Sequence, residues 1–149
     1  MPAEPPVVSP TSLGQAYALL AAAPHRAIAG GTDVMVQIAA ETTPIPERML
    51  DLWRLDELRG IRVEGDALIL GTLTTYTEIR RSPLCAEHAP ALVEAAATIG
   101  AVQIQNRGTL GGNIANASPA GDTLPVLLAM DASIAVGSLS GERTVAAGD

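Results

Sequence analysis

Behind a Pro-rich start, Met1 to Pro10, the apolar residues Leu13, Ala16, Leu19 and Leu20 recur at helical spacing. Ser12 with Gln15 offers a capping box ahead of them, and Pro24 stops the helix. Ala27, Ile28 and Ala29 form a short apolar run that predicts a buried strand, ended by Gly30-Gly31. Thr32 and Asp33 are both good N-cap types, and Val34, Met35, Val36 and Ile38 follow as a short helix. Met49, Leu50 and Leu52 predict a strand after the Pro44–Pro46 loop. Ile61 to Glu64 and Ala67 to Leu70 flank Gly65-Asp66 and read as a hairpin. Thr75 to Arg80 starts a helix, and Pro90 to Ile99 makes another with Leu92, Ala95, Ala96 and Ile99 on one face. Leu124 to Met130 suits a buried helix. Ser133 to Val136 and Arg143 to Ala146 read as strands around the Gly137–Gly141 turn.

Two stretches break this pattern. The first is the strand–Gly-Gly–helix unit at Ala27 to Val34, where a turn that glycine enters without strain precedes a helix with unpaired N–H groups. Such a helix start suits a phosphate. The second runs from Gly100 to Pro125, with Arg107-Gly-Thr-Leu-Gly-Gly-Asn-Ile-Ala-Asn-Ala-Ser-Pro-Ala-Gly-Asp122 at its centre, and reads as a loop. A loop so rich in Gly, Asn, Ser and Pro must direct its backbone polar groups at something. Neither stretch carries the G-x-G-x-x-G fingerprint or a P-loop ending. Together they can approach a pyrophosphate from two sides, with Gly30, Gly31, Gly111 and Gly112 letting the main chain close in and Thr32 and Thr109 offering hydroxyls. Other roles stay open at several positions. Asp122 is a helix cap or an acceptor for a ligand donor; Arg107 is a solvated charge or a partner for Asp122 or phosphate. Asn113 and Asn116 satisfy loop backbone or touch ligand, and Trp53 and Tyr76 read as packing residues before ring stackers.

Composition narrows the field. The 149 residues suffice for one domain or two small subdomains. With no Phe, one Trp and two Tyr, the core must be aliphatic and few rings remain to stack on a ligand. A net charge of −7 argues against nucleic acid, since phosphate affinity there comes from Lys and Arg. An anionic ligand must therefore be held by local dipoles. One cysteine, Cys85, excludes a disulfide framework or a thiolate-held iron–sulfur cluster within these residues, and His25 and His88 lack a second ligand at metal-site spacing, so no metal is expected. The opening MPAEPPVVSP lacks a signal-peptide pattern, and the apolar segments are too broken to insert in a membrane; a cytoplasmic protein is the expectation.

At the two glycine stretches the chain resembles a known family. Ala29-Gly-Gly-Thr-Asp-Val34 and Ile99-Gly-Ala-Val-Gln-Ile-Gln-Asn-Arg-Gly-Thr-Leu-Gly-Gly-Asn-Ile-Ala-Asn-Ala-Ser-Pro-Ala-Gly-Asp-Thr-Leu-Pro125 closely resemble the FAD-binding medium subunits of molybdenum hydroxylases, including those of aerobic carbon monoxide dehydrogenase and bacterial xanthine dehydrogenase. The likeness extends to the Pro–Ser12 helix start and the Leu-Gly71-Thr-Leu-Thr pattern.

The resemblance implies an α+β fold of the PCMH/VAO type, with a first FAD-binding subdomain at 1–60 and a second at 61–149. It implies FAD as cofactor. Ala27, Ile28, Ala29, Gly30, Gly31, Thr32, Asp33 and Val34 would form the first pyrophosphate segment, and Thr109, Leu110, Gly111, Gly112 and Asn113 the second. Ile99 would lie near the cofactor, and Asp122 would contact the flavin nucleotide. It further implies an oxidoreductase component that takes electrons from the [2Fe–2S] clusters of a small subunit, alongside a molybdenum-cofactor large subunit, and passes them to NAD⁺, oxygen or a quinone. Subunits of this family run to nearly twice this length, so the second subdomain is expected to be truncated at its C-terminal end. That expectation brings with it an alternative, a non-enzymatic assembly module of the same complex.

Overall fold

A computed structural model of the chain describes residues 5–149. The expected capping box is half realised: the Ser12 Oγ accepts the Gln15 N–H at 3.2 Å and opens helix α1, Leu13–Ala22. The Gln15 side chain turns instead to the Thr11 N–H at 2.7 Å, one residue earlier than a box requires. Strand β1, Val7–Val8, strand β2, Arg26–Ile28, and strand β3, Met49–Asp51, form a parallel sheet in the order β1-β3-β2. β3 is central and holds Met49 and Leu50 buried, whereas β2 lies at an edge with Arg26 and Ala27 exposed. The buried strand expected at Ala27–Ala29 is thus an edge strand ending one residue sooner, because β3 supplies the residues that fill the core. Helix α2, Val34–Ala39, follows β2.

Beyond a 3₁₀ turn at Asp56–Leu58, strands β4, Ile61–Glu64, and β5, Ala67–Leu70, pair antiparallel in the register that their alternation predicts. Helix α3, Tyr76–Arg81, is opened by a complete capping box between Thr75 and Glu78. Helices α4, Pro83–His88, and α5, Pro90–Thr98, each start on proline, the residue whose missing N–H costs nothing at that position. The stretch expected to be one long loop contains two helices, α6, Val102–Gln105, and α7, Leu110–Asn116. Helix α8, Leu124–Ala129, leads to a hairpin of β6, Ser133–Ser138, and β7, Gly141–Ala146, longer and more tightly turned than the expected strands. The fold is α+β, with three small sheets flanked by short helices.

Two buried apolar clusters organise the chain. Ala16, Leu50 and Leu55, with Leu13, Leu19, Leu52 and Leu58 packed around them, fill the first. Tyr76, Ile79, Cys85, Ala89, Leu92, Ala96, Leu110 and Leu127 fill the second, with Ile61, Leu68, Leu70 and Ile99 among its partners. No residue belongs to both.

Candidate functional site

The two glycine stretches meet. A Cβ built on Gly30 would lie 1.7 Å from the Arg107 carbonyl oxygen, a separation no side chain could occupy, so the backbones touch because position 30 is glycine. Farther along, Gln37 in α2 donates from Nε2 to Asn116 Oδ1 in α7 at 3.1 Å. The turn before α2 thus touches the turn before α7, and one side-chain bond joins the two helices.

The first stretch leaves a run of backbone donors without protein partners. Gly31 has φ +77°, the left-handed backbone that turns the chain from β2 into α2. The backbone N–H groups of Gly30, Gly31, Thr32, Asp33 and Val34 meet no protein acceptor among the described residues; the first N–H of this region to do so is that of Met35, which donates to Gly31 O at 3.0 Å. A run of five unpaired backbone donors at a turn is an arrangement, a nest, that can receive an anion. Ala27 and Ile28 lie in β2 just before it, Ala29 links the strand to the turn, and Val34 opens α2. Asp33 stands at the N-cap position with an exposed side chain, yet makes no capping hydrogen bond.

The second stretch differs. Thr109 caps α7 by accepting the Gly112 N–H at 3.1 Å. Leu110 N–H donates to Thr74 O at 2.9 Å, Gly111 N–H to Thr72 O at 3.0 Å and Asn113 N–H to Thr109 O at 3.0 Å. The donors of Leu110 to Asn113 thus already have partners, and what this turn offers a ligand is the close approach of a helix end. Gly111 is required by packing, since a Cβ there would stand 2.4 Å from Thr72 Cγ2. A Cβ on Gly112 would press only on Thr109 Oγ1, at 2.9 Å. Asn113 accepts from the Thr123 hydroxyl and Asn116 from Gln37, so both asparagines tie elements together.

Tyr76 connects several of these residues. Its ring packs on Gly108, and its hydroxyl donates to Thr109 O at 3.4 Å. Burial, and then the carboxylates of Asp33 and Asp122, push its phenol up to about 12. Asp33 and Asp122, distant in sequence, therefore both lie close enough to Tyr76 for their charge to reach its phenol. Asp122 is exposed and does not cap α8, whose N-cap is Thr123. Ile99 stands apart from the nest: it terminates α5, packs on the second cluster, and its carbonyl accepts from Gln105 Nε2 at 3.0 Å. Arg107 pairs with neither Asp122 nor any other carboxylate among the described residues; its guanidinium lies 4.0 Å from the Trp53 ring centroid. The roles of Thr72, Thr74 and Tyr76 left no local sign in the sequence, because each depends on a partner more than 30 residues away.

Residues 3–149 match the family model described as the FAD binding domain in molybdopterin dehydrogenase. The chain is 38% identical over 120 residues to the nicotinate dehydrogenase FAD-subunit of Eubacterium barkeri, covering 80% of this chain and 40% of that one. It is 36% identical over 141 residues to the carbon monoxide dehydrogenase medium chain of Hydrogenophaga pseudoflava, covering 93% and 49%. In structure it resembles carbon monoxide dehydrogenase from Hydrogenophaga pseudoflava lacking the Mo-pyranopterin moiety of the molybdenum cofactor, with TM-score 0.95, 34% identity and coverage of 99% of this chain and 52% of that one. Quinoline 2-oxidoreductase from Pseudomonas putida 86 follows with TM-score 0.94, 30% identity and the same coverage. The chain thus spans about half the length of the relatives it matches. No helix among the described residues is long and apolar enough to cross a membrane. By sequence and structure together the chain belongs to the family of FAD-binding domains in molybdopterin dehydrogenases.

Proposed function

We propose that the chain is the FAD-binding part of a molybdenum-dependent hydroxylase or dehydrogenase in the cytoplasm. In this reading it takes electrons from the [2Fe–2S] clusters of a small subunit, beside a molybdenum-cofactor large subunit, and passes them to NAD⁺, oxygen or a quinone. The observation that carries it is the run of five unpaired N–H groups at Gly30–Val34, set against the start of α7. Ala27 to Val34 hold the pyrophosphate with backbone donors. Thr109 to Asn113 close the other side, Asp122 accepts from the nucleotide, and Ile99 forms part of the apolar boundary. The two units that share the cofactor divide near residue 60, as the two apolar clusters suggest.

Bound FAD supplies the exchange between two-electron and one-electron chemistry, and the protein supplies position and electrostatics. The unpaired N–H groups at Gly30–Val34 would supply the local positive dipoles that an anionic ligand needs on a chain of net charge −7. Asp33 and Asp122 flank that region with negative charge. Their placement favours neutral hydroxyl donors, such as those of a ribose, over additional phosphate.

The test uses the one tryptophan, Trp53, as a probe. Titration of the purified chain with FAD should quench its emission, and flavin absorbance should survive removal of excess ligand. FMN, lacking the pyrophosphate bridge, should bind at least about tenfold more weakly. Reduced, loaded protein mixed with NAD⁺, oxygen and a quinone then identifies the acceptor by its rate of reoxidation. A chain that binds neither flavin but co-purifies with partner subunits would replace this reading with that of an assembly module.

A further inference from the structure

One aromatic ring outside the glycine stretches links them. Trp53 follows Leu52, whose N–H donates to Ile28 O at the end of β2 at 2.9 Å. The Trp53 backbone is fixed on both sides: its N–H donates to Asp51 Oδ1 at 2.9 Å, and its carbonyl accepts from Arg59. Over the ring lie two guanidinium groups, with Arg107 Cζ 4.0 Å and Arg59 Cζ 4.7 Å from the centroid. Neither arginine pairs with a carboxylate among the described residues, so the Arg107 guanidinium is held by the π face and by no ion pair.

The contacts close a circuit. Ile28 is bonded to Leu52, Trp53 stacks with Arg107, and the Arg107 carbonyl rests against Gly30, two residues beyond Ile28. The segment that carries Arg107 is anchored on one side, where buried Gln105 accepts from Arg80 and donates to Ala97 O and Ile99 O, whereas Ala101, Val102, Gln103 and Arg107 are exposed. Tyr76 and Thr74 hold Gly108 and Leu110 from the other side, while the Arg107 side chain makes no ion pair among the described residues and rests on the Trp53 ring. We propose that Trp53 is a positioning residue for the first pyrophosphate segment, clamping Arg107 so that the second glycine stretch stays seated on Gly30. This rests on the reading of Gly30–Val34 as the pyrophosphate site.

Trp53→Leu removes the π face and keeps apolar bulk, whereas Trp53→Phe keeps a smaller π face. Two quantities should be followed in the whole chain: amide exchange by NMR without ligand, and FAD affinity from flavin fluorescence. The amides to watch are Gly108, bonded to Ile104 O at 2.6 Å, and Leu110, bonded to Thr74 O at 2.9 Å. Trp53→Leu should speed their exchange and weaken FAD about tenfold, the scale of one cation–π contact, while Trp53→Phe stays within about threefold of wild type in both. Unchanged exchange in Trp53→Leu, or a Trp53→Phe variant as impaired as Trp53→Leu, overturns the proposal. A wild-type chain that binds no FAD defeats the pyrophosphate reading alone, and the exchange comparison still decides whether the ring clamps Arg107.

Discussion

Replacing Gly30 with alanine strikes the point where the two glycine stretches touch. The new Cβ would sit 1.7 Å from the Arg107 carbonyl oxygen and 2.5 Å from its carbonyl carbon. Carbon and oxygen atoms settle near van der Waals separations of roughly 3.5 Å, so the stretches must part by well over an ångström. A carbonyl cannot swing aside like a side chain, which puts the cost at the upper end of overpacking, about 3 kcal/mol. For a chain of this size that lowers Tm by about 6–12 °C. The same parting moves the nest at Gly30–Val34 away from α7. If two charge-assisted hydrogen bonds to the pyrophosphate fail to form at about 1.5 kcal/mol each, FAD affinity falls on the order of a hundredfold. Calorimetry and an FAD titration monitored by Trp53 emission read both effects. A variant that melts and binds like wild type would show that the stretches do not meet at Gly30. A variant that melts early yet binds FAD normally would keep the contact and remove the pyrophosphate from it.

Other expectations separate folding from binding. Gly112→Ala meets only Thr109 Oγ1, and its better helix propensity offsets the disturbed cap. Its Tm should stay within about 3 °C of wild type while FAD affinity drops at least about tenfold; equal affinity would remove Gly112 from the site. Ala117 ends α7 at φ +47°, so Ala117→Gly should stabilise by about 1 kcal/mol, read as a higher midpoint in urea. Tyr76, with its phenol raised to about 12, keeps its proton in the folded chain after the unfolded chain has lost it near 10. Its contribution is therefore complete below pH 10 and is lost as pH rises through 12. The sequence has no lysine to titrate in that window, although Cys85, raised by burial, steepens the approach to it. Tyr76→Phe should flatten the alkaline fall in stability between pH 10 and 12. An unchanged slope would place the phenol outside its buried position. Cys85, wholly buried, should react with a thiol reagent only on unfolding, and prompt labelling of the native chain would contradict that burial.

What the sequence disclosed was whatever local chemistry decides. Ser12 and Pro24 bound α1, and Gly65-Asp66 turns the β4–β5 hairpin, because caps, prolines and turns act within a few residues. The stretch from Gly100 to Pro125 misled because Gly, Asn and Ser disfavour helix in isolation. Here α7 forms because Thr109 caps it and Thr72 and Thr74 take its first N–H groups. Gly111, suggestive of ligand contact, is demanded by Thr72, 39 positions earlier. Asp33 and Asp122 look like caps by residue type but make no capping bond. The pairing of Arg107 with Trp53 follows no spacing rule, since only the folded chain brings Leu52 to Ile28.

The separation of the two apolar clusters bears on how the chain melts. Each cluster is small, and they share no buried residue; the links between the two halves include Gly30 on Arg107, Arg107 on Trp53, Gln37 with Asn116, Tyr17 against Gly137, and the backbone bonds of Leu73 to Leu58 O and Gly71 to Gly60 O. Most of these links are single backbone or polar contacts, and no shared buried cluster enforces one all-or-none transition. Without ligand, calorimetry should resolve two overlapping transitions. A dinucleotide held across the junction binds only when both units are folded, and at about a hundredfold excess over its Kd adds about 2.7 kcal/mol to their joint stability. It would merge the two transitions into one.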